Sequence, residues 1–250
     1  MTKNLSRTPR LYAELPLNHN QPAPLSPDQA HYLGRVMRLA VGDHVRVFNG
    51  DDGEWLCQIE QISKRNCIIR AMEKLREPQT LPDIDYLFAP LKTARLDYLA
   101  QKATEMGAAR LRPVLTEYTQ VRRLKHERLI ANTIEAAEQC NLVTIPQVSE
   151  LQKLDSVLDN WLERETETRQ LIFCDEAATS NSPISTFKQL AGKPLALLVG
   201  PEGGFSERER TRLLALDFIT PISLGPRIMR ADTAAVAALA VLQATIGDWH

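Results

Sequence analysis

Leu195-Ala196-Leu197-Leu198-Val199-Gly200-Pro201-Glu202-Gly203-Gly204-Phe205-Ser206 is the stretch that decides the architecture. Its apolar half reads as a buried strand of a largely parallel sheet. The strand ends in Gly-Pro-Glu-Gly-Gly, after which Ser206 and Glu209 stand at capping-box spacing and open a helix. Ligands of open α/β sheets bind beyond the carboxyl ends of strands, where these glycines fall. Glycine there permits positive φ and a close backbone approach to a ligand; the plainer alternative is a turn that only reverses the chain. Two phosphate-binding loops are set aside. A P-loop requires Gly-Lys-Ser/Thr where Phe205-Ser206 stands, and Gly200-Pro201-Glu202-Gly203-Gly204 does not match G-x-G-x-x-G. A nucleoside triphosphate or NAD enzyme is disfavoured.

Gly225 follows Gly200 by 25 positions in a second loop, Leu224-Gly225-Pro226-Arg227-Ile228-Met229-Arg230-Ala231-Asp232-Thr233-Ala234. It follows a strand read at Ile222-Ser223-Leu224 and opens a helix from Thr233 to about Thr245. That helix is rich in Ala, Val and Leu and apolar nearly all round, so it is expected to be buried on several sides, within the domain or against a second subunit. Arg227 and Arg230 are candidate ligand contacts; their plainer reading is a surface pair to Asp232 or Glu202.

Upstream of these loops, strands and helices alternate. Strands are read at 84–89, 111–115, near Gln147 and at 170–174. Helices are read at 93–106, closed by Gly107, at 124–139 and at 150–163. The order implies an α/β domain with a mostly parallel sheet. Before residue 76 the rhythm differs. His44–Phe48, Glu54–Glu60 and Cys67–Arg70 alternate or run apolar between the turns Asn49–Gly53 and Ser63–Asn66, as in a meander or small barrel. One helix interrupts it, with Ser26 as N-cap, Pro27 in the first turn and Ala30, Leu33 and Met37 on one side. Arg76–Pro82 carries two prolines and no periodicity. The domains are therefore expected at 1–75 and 83–250, with 76–82 as linker.

The chain of 250 residues has ordinary soluble composition, 44% hydrophobic and 24% charged. No apolar run reaches membrane-spanning length. Met1–Arg7 lacks the apolar core of a secretory signal, so a cytoplasmic location is expected. Cys57, Cys67, Cys140 and Cys174 form no C-x-x-C pair, and the five histidines show no ligand spacing, so no metal is expected. The net charge is −1, yet residues 92–128 carry nine Lys/Arg against four Asp/Glu. Charge alone does not choose between a polyanion footprint and a solvated helix face.

Taken together, several motifs resemble the SPOUT methyltransferases and, more narrowly, their 16S rRNA (uracil-N3)-methyltransferase branch. They are Arg10 in the barrel-like start, Ala89-Pro90-Leu91-Lys92, Lys102 through Glu105-Met106-Gly107, Glu135-Ala136-Ala137-Glu138-Gln139-Cys140 and the two glycine loops. The resemblance covers most of the chain. It implies a PUA-like RNA-binding β-barrel domain, a C-terminal α/β domain ending in a trefoil knot, a homodimer, and methylation at N3 of one uridine, position 1498, in 16S rRNA of the small ribosomal subunit. Periodicity alone would not have predicted a knot. The resemblance also implies S-adenosylmethionine held by Leu198, Gly200, Glu202, Gly203, Leu224, Gly225, Ile228, Met229 and Arg230. This chain departs from many relatives at Leu142, where they carry Arg, and at Tyr118, where Arg or Cys is common; Tyr118 is open to stacking on a base or to packing.

The chemistry follows from the acceptor. Uracil N3 is a poor nucleophile while protonated; a carboxylate could accept its proton, and a positioned cation or NH donor would stabilise the resulting charge. Arg230 is the expected cation and Glu138 the expected base, with Glu202 and Asp232 as competitors. Arg10, Arg35, Arg38, Lys92 and the basic run that begins at Arg122 and Arg123 are expected to hold RNA phosphates. Two other readings stay open: a SPOUT enzyme that methylates ribose 2′-hydroxyls, and a non-catalytic rRNA-binding assembly factor.

Overall fold

The computed structural model describes residues 5, 8–165, 169–178 and 182–249. Most of Met1–Arg7, read above for a targeting signal, lies outside them. The chain divides into two compact units: residues 1–80 with 137–145, and residues 81–136 with 146–250. The first division falls inside the proline-bearing 76–82 stretch. The segment 137–145 joins the first unit, which a boundary drawn along the chain does not describe.

In the first unit, β1 (Arg10–Tyr12), β2 (Pro22–Leu25), β3 (His44–Asn49), β4 (Gly53–Ile62) and β5 (Cys67–Arg76) form one sheet in the order β1-β3-β4-β5-β2. The antiparallel β3-β4-β5 meander is the part whose turns are visible in the sequence. Three register shifts along β4 bend the sheet into a half-barrel. Trp55, Cys57 and Ile59 alternate into its core beside Val45, Val47 and Ile69. Helix α1 (Pro27–His31) is capped reciprocally by Ser26 and Gln29, then passes into a π-helical turn over Tyr32–Val36. The wider turn rotates the following residue off the buried face. Ala30 and Leu33 are buried, but Met37 is 38% exposed, correcting the expectation that all three share one side.

The second unit has β6 (Ile84–Phe88), β7 (Arg110–Leu115), β8 (Gln147–Val148), β9 (Gln152–Lys153), β10 (Gln170–Cys174), β11 (Leu195–Val199) and β12 (Ile219–Ile222). Six of them run in the order β12-β10-β11-β6-β7-β8, with β9 also on β7, and every pairing is parallel. The helices are α2 (Thr93–Glu105), α3 (His126–Cys140), α4 (Leu154–Asp159), α5 (Trp161–Arg164), α6 (Pro183–Gln189), α7 (Glu207–Leu214) and α8 (Ala231–Ile246).

Alternation across β11 explains its unbroken apolar run. Leu195, Leu197 and Val199 pack with Leu99 of α2, Phe187 of α6 and Leu239 of α8. Ala196 and Leu198 face the other layer, with Leu158, Trp161 and Leu213. Both faces are covered, so no position of the strand is free to be polar.

Two expectations shift. The helix expected over 150–163 is instead β9, α4 and α5, the two helices meeting at Asn160. The last strand ends at Ile222 rather than beginning there. It includes Pro221, which is tolerated because β12 is an edge strand paired only with β10.

Candidate functional site

β10, β11 and β12 end level with one another. Phe173 is in register with Leu198 on one side and Pro221 on the other, and Cys174 with Ile222. Loops 175–178, 200–205 and 223–229 therefore leave the same edge of the sheet, and together they line a cleft of about 510 Å³. The two glycine turns, separated by a helix and a strand in sequence, share this one crevice. Its size suits a nucleoside-sized ligand.

Gly200 is required by a close approach: a Cβ there would lie 2.5 Å from Cε2 of Phe205, whose ring meets that of Phe173 edge-on at 5.0 Å. Gly225 is required by its backbone, with φ of +107°. The third wall is built on Asp175. Its carboxylate accepts from Arg210 Nε and Nη2, and its Oδ1 also accepts from Ala177 N at 3.1 Å, fixing the 175–178 turn. Those hydrogen bonds hold the Arg210 guanidinium above its ordinary value. Cys174 also lines the cleft, and burial pushes its thiol up to about 12, so it stays protonated.

Of the residues expected to hold a cofactor, Gly200, Glu202, Leu224, Gly225, Ile228 and Met229 line the cleft. Leu198 lies beneath it in the core, and Gly203 sits between lining residues, where an added Cβ would lie 3.2 Å from Tyr118 Cβ. Arg230 is the exposed N-cap of α8, between the lining residues Met229 and Ala231, and makes no side-chain cap hydrogen bond. The acids that might have neutralised Arg227 and Arg230 are otherwise engaged. Glu202 pairs with Arg95 at 2.9 Å, and Asp232 Oδ1 accepts from Thr233 N. Neither Arg227 nor Arg230 has an ion pair among the described residues.

Glu138 belongs to the first unit and is not among the residues lining the cleft; its Oε1 accepts from Tyr12 N at 2.9 Å. Arg10 faces inward. Its side chain is 4% exposed, pairs with Glu54 at 2.7 Å, donates to the carbonyls of Ala137, Glu138 and Leu142, and lies over the Phe48 ring. Arg35, Arg38, Lys92, Arg122 and Arg123 are exposed and make no ion pair among the described residues. By contrast Arg95, Lys102, Arg110, Arg112 and Arg128 are each paired with acids, so the free positive charge of the 92–128 segment concentrates on Lys92, Arg122, Arg123 and Lys125. No group of three or more His, Cys, Asp or Glu placed to hold a metal occurs among the described residues, and none of their helices is long and apolar enough to cross a membrane.

Sequence reasoning missed the Asp175 loop and Arg210. The signal was present, because Gln170-Leu171-Ile172-Phe173-Cys174 is a buried strand that ends in Asp-Glu-Ala, and the strand-end rule applies to it as it does to the glycine loops.

Comparison with known proteins adds an independent line. An RNA methyltransferase domain family matches residues 77–243, and an RNA methyltransferase PUA domain family matches residues 25–72. The ribosomal RNA small subunit methyltransferase E of Rickettsia conorii is 33% identical over 232 residues, 92% of this chain and 93% of its own. A Legionella pneumophila protein solved in complex with the cofactor SAM is 31% identical and superposes with a TM-score of 0.85, covering 97% of this chain and 99% of that one. The ribosomal RNA small subunit methyltransferase E of Neisseria gonorrhoeae, bound to S-adenosyl methionine, has the same TM-score at 24% identity over 98% of this chain and 100% of that one, a likeness of fold.

Proposed function

This chain belongs to the ribosomal RNA small subunit methyltransferase E family, and from that premise we propose that it methylates N3 of one uridine of 16S rRNA, the position numbered 1498. The observation that carries the site assignment is the shared cleft at the carboxyl ends of β10, β11 and β12, with Arg227 and Arg230, which have no ion pair among the described residues, at its edge. S-adenosylmethionine, when bound, supplies a methyl group already made electrophilic by the sulfonium.

The cleft fits that cofactor by its chemistry. Phe173, Val199, Phe205 and Ala234 offer apolar walls for a purine, while the main chain at Gly200, Leu224 and Gly225 offers polar atoms beside them. Glu202, Ile228 and Met229 complete the cradle, with Leu198 and Gly203 supporting it from behind.

Arg230 acts on the acceptor. Removing the N3 proton leaves negative charge on N3 and its flanking carbonyl oxygens, and a guanidinium not already neutralised by an acid is free to stabilise it. Proton removal falls to a carboxylate. Glu138 is the candidate from the sequence, Glu202 is the one of the three that lines the cleft, and Asp232 is the third; Glu138→Gln and Glu202→Gln, assayed separately for kcat, distinguish the first two. N3 lies on the pairing edge, so the uridine must be unpaired or extruded to reach the cleft. We assign phosphate contacts to the exposed Arg35, Arg38, Lys92, Arg122 and Arg123, and give Arg10 a structural role.

The resemblance extends to a homodimer, and the half-exposed to exposed stripe Val236, Ala240 and Ala244 on α8 is the face we assign to it. Sedimentation equilibrium of the wild type against Ala240→Arg tests that assignment; an unchanged mass would remove it.

The decisive measurement is mapping of modified uridines in small-subunit rRNA with and without the protein, read by nucleoside mass spectrometry. N3-methyluridine supports this reading, a ribose-methylated nucleoside replaces it, and no change in modification leaves a binding factor. Arg230→Ala should lower kcat by about a hundredfold or more. It should leave the fold intact, because the side chain makes no capping bond. Wild-type turnover would take Arg230 out of the mechanism.

A further inference from the structure

Resting on the RNA-methylating reading, we propose that Tyr118 is the platform on which an unpaired nucleobase of the substrate stacks beside the cleft. Tyr118 is 48% exposed, and its hydroxyl has no hydrogen-bond partner among the described residues, so neither full burial nor a polar bond accounts for it.

The turn that carries Tyr118 is rigid. Thr116 and Thr119 are buried and tied together: Thr116 N donates to Thr119 Oγ1 at 2.9 Å, the two hydroxyls meet at 2.8 Å, and Thr119 N donates to Thr116 O at 3.2 Å. Between them Glu117 N donates at 2.8 Å to Oε1 of the buried Glu209. Glu209 also completes the capping box of α7 by accepting from the N-cap Ser206, so the Tyr118 turn is fastened to the end of the 200–205 loop. The two segments touch directly, since a Cβ on Gly203 would lie 3.2 Å from Tyr118 Cβ. Gly203 stands between Glu202 and Gly204, both of which line the cleft.

Two cations without an ion pair among the described residues flank the same turn: Arg122, whose Nη2 donates to Glu117 O at 3.5 Å, and the exposed Arg123. Arg208 lies 3.8 Å from Glu117 Oε2 but is engaged by Asp155 at 3.1 Å. An exposed aromatic side chain on a hydrogen-bonded turn next to positive side chains is the arrangement that holds single-stranded nucleic acid. The ring stacks on a base of any sequence and the cations take the flanking phosphates. An extruded uridine exposes neighbours that have lost a stacking partner, and Tyr118 is placed to replace it.

Methylation of small ribosomal subunits lacking the modification, followed with varied subunit concentration, tests the assignment. Tyr118→Ala should lower kcat/KM for the subunit on the order of tenfold or more, mainly through KM. Tyr118→Phe should retain wild-type values, and all three proteins should bind S-adenosylmethionine equally by calorimetry. An alanine variant with unchanged kcat/KM would overturn the proposal, and so would a phenylalanine variant as impaired as alanine. Failure of the underlying reading is a distinct result: the unmutated chain would then transfer no methyl to the subunit at all.

Discussion

Glu209→Ala is expected to loosen two loops at once. The side chain is 3% exposed, and its carboxylate accepts from Ser206 N at 3.0 Å, from Ser206 Oγ at 3.2 Å and from Glu117 N at 2.8 Å. Alanine removes an acceptor from each of two backbone amides, and Ser206 is itself buried. The orphaned buried Ser206 amide costs about 1–3 kcal/mol, and the hydrogen bond lost at the part-buried Glu117 amide adds about 1 kcal/mol; Ser206 remains the cap of α7, because its Oγ still accepts from the backbone N of residue 209. The sum for the 200–206 region and the Tyr118 turn is about 2–4 kcal/mol. Glu209→Gln keeps one carbonyl oxygen and should cost roughly half as much. Hydrogen exchange resolves the effect amide by amide. At a factor of ten for each ~1.4 kcal/mol, exchange at Ser206 and Glu117 should rise by roughly thirtyfold or more, while amides of β6 on the far side of β11 stay unchanged. S-adenosylmethionine should bind more weakly, because the same loop lines the cleft. Faster exchange at Ser206 with Glu117 unaffected would refute the strap between the two loops, and unchanged exchange at both would refute the account of Glu209 altogether.

Gly225→Ala meets no atom within 4 Å, so its cost is confined to backbone strain at φ +107°, about 1–3 kcal/mol; urea unfolding with weaker cofactor binding checks it, and unchanged values would show the turn adapts. Glu54→Gln should destabilise the first unit by about 3–5 kcal/mol at pH 7, because the buried Arg10 loses its counter-ion. Burial alone would raise the Glu54 carboxyl, but Arg10 and Arg76 outweigh it and hold it below the ordinary value of 4.5, so this stabilisation is full above that pH and is lost only as pH falls below it. The gap between wild type and variant in acid-unfolding curves should therefore close below pH 4.5, and a gap that closes above it would reverse the assignment.

The fold was legible wherever local pattern and tertiary environment agree. The apolar run at 195–199 and the turn residues at 49–53 are forced by burial on two faces and by a tight reversal, so those elements stand where the sequence puts them. β1 and β2 were not legible. Each is short, and both lie at the ends of the sheet path, where one neighbouring strand rather than an internal alternation holds them. The π-helical turn at 32–36 was equally hidden, because Ala30, Leu33 and Met37 fit an α-helical stripe, and one extra residue in the turn moves Met37 to the surface.

The site divides along a different line. Gly200 and Gly225 are visible because their chemistry is local: one must admit the Phe205 ring and the other must hold a positive φ. Asp175 and Arg210 are not, because their role comes from strand order rather than chain order. β10 lies between β11 and β12 in the sheet, although it precedes both in sequence. That insertion brings the 175–178 turn between the two glycine loops and lets Arg210 of α7 reach Asp175. The same logic governs charge. Nine basic residues between 92 and 128 look alike on paper, yet folding pairs Arg95, Lys102, Arg110, Arg112 and Arg128 with acids. Lys92, Arg122, Arg123 and Lys125 have no ion pair among the described residues. A site assembled from strand ends is thus written in the sequence as separate fragments, and only the parallel order of β12-β10-β11 says which fragments meet.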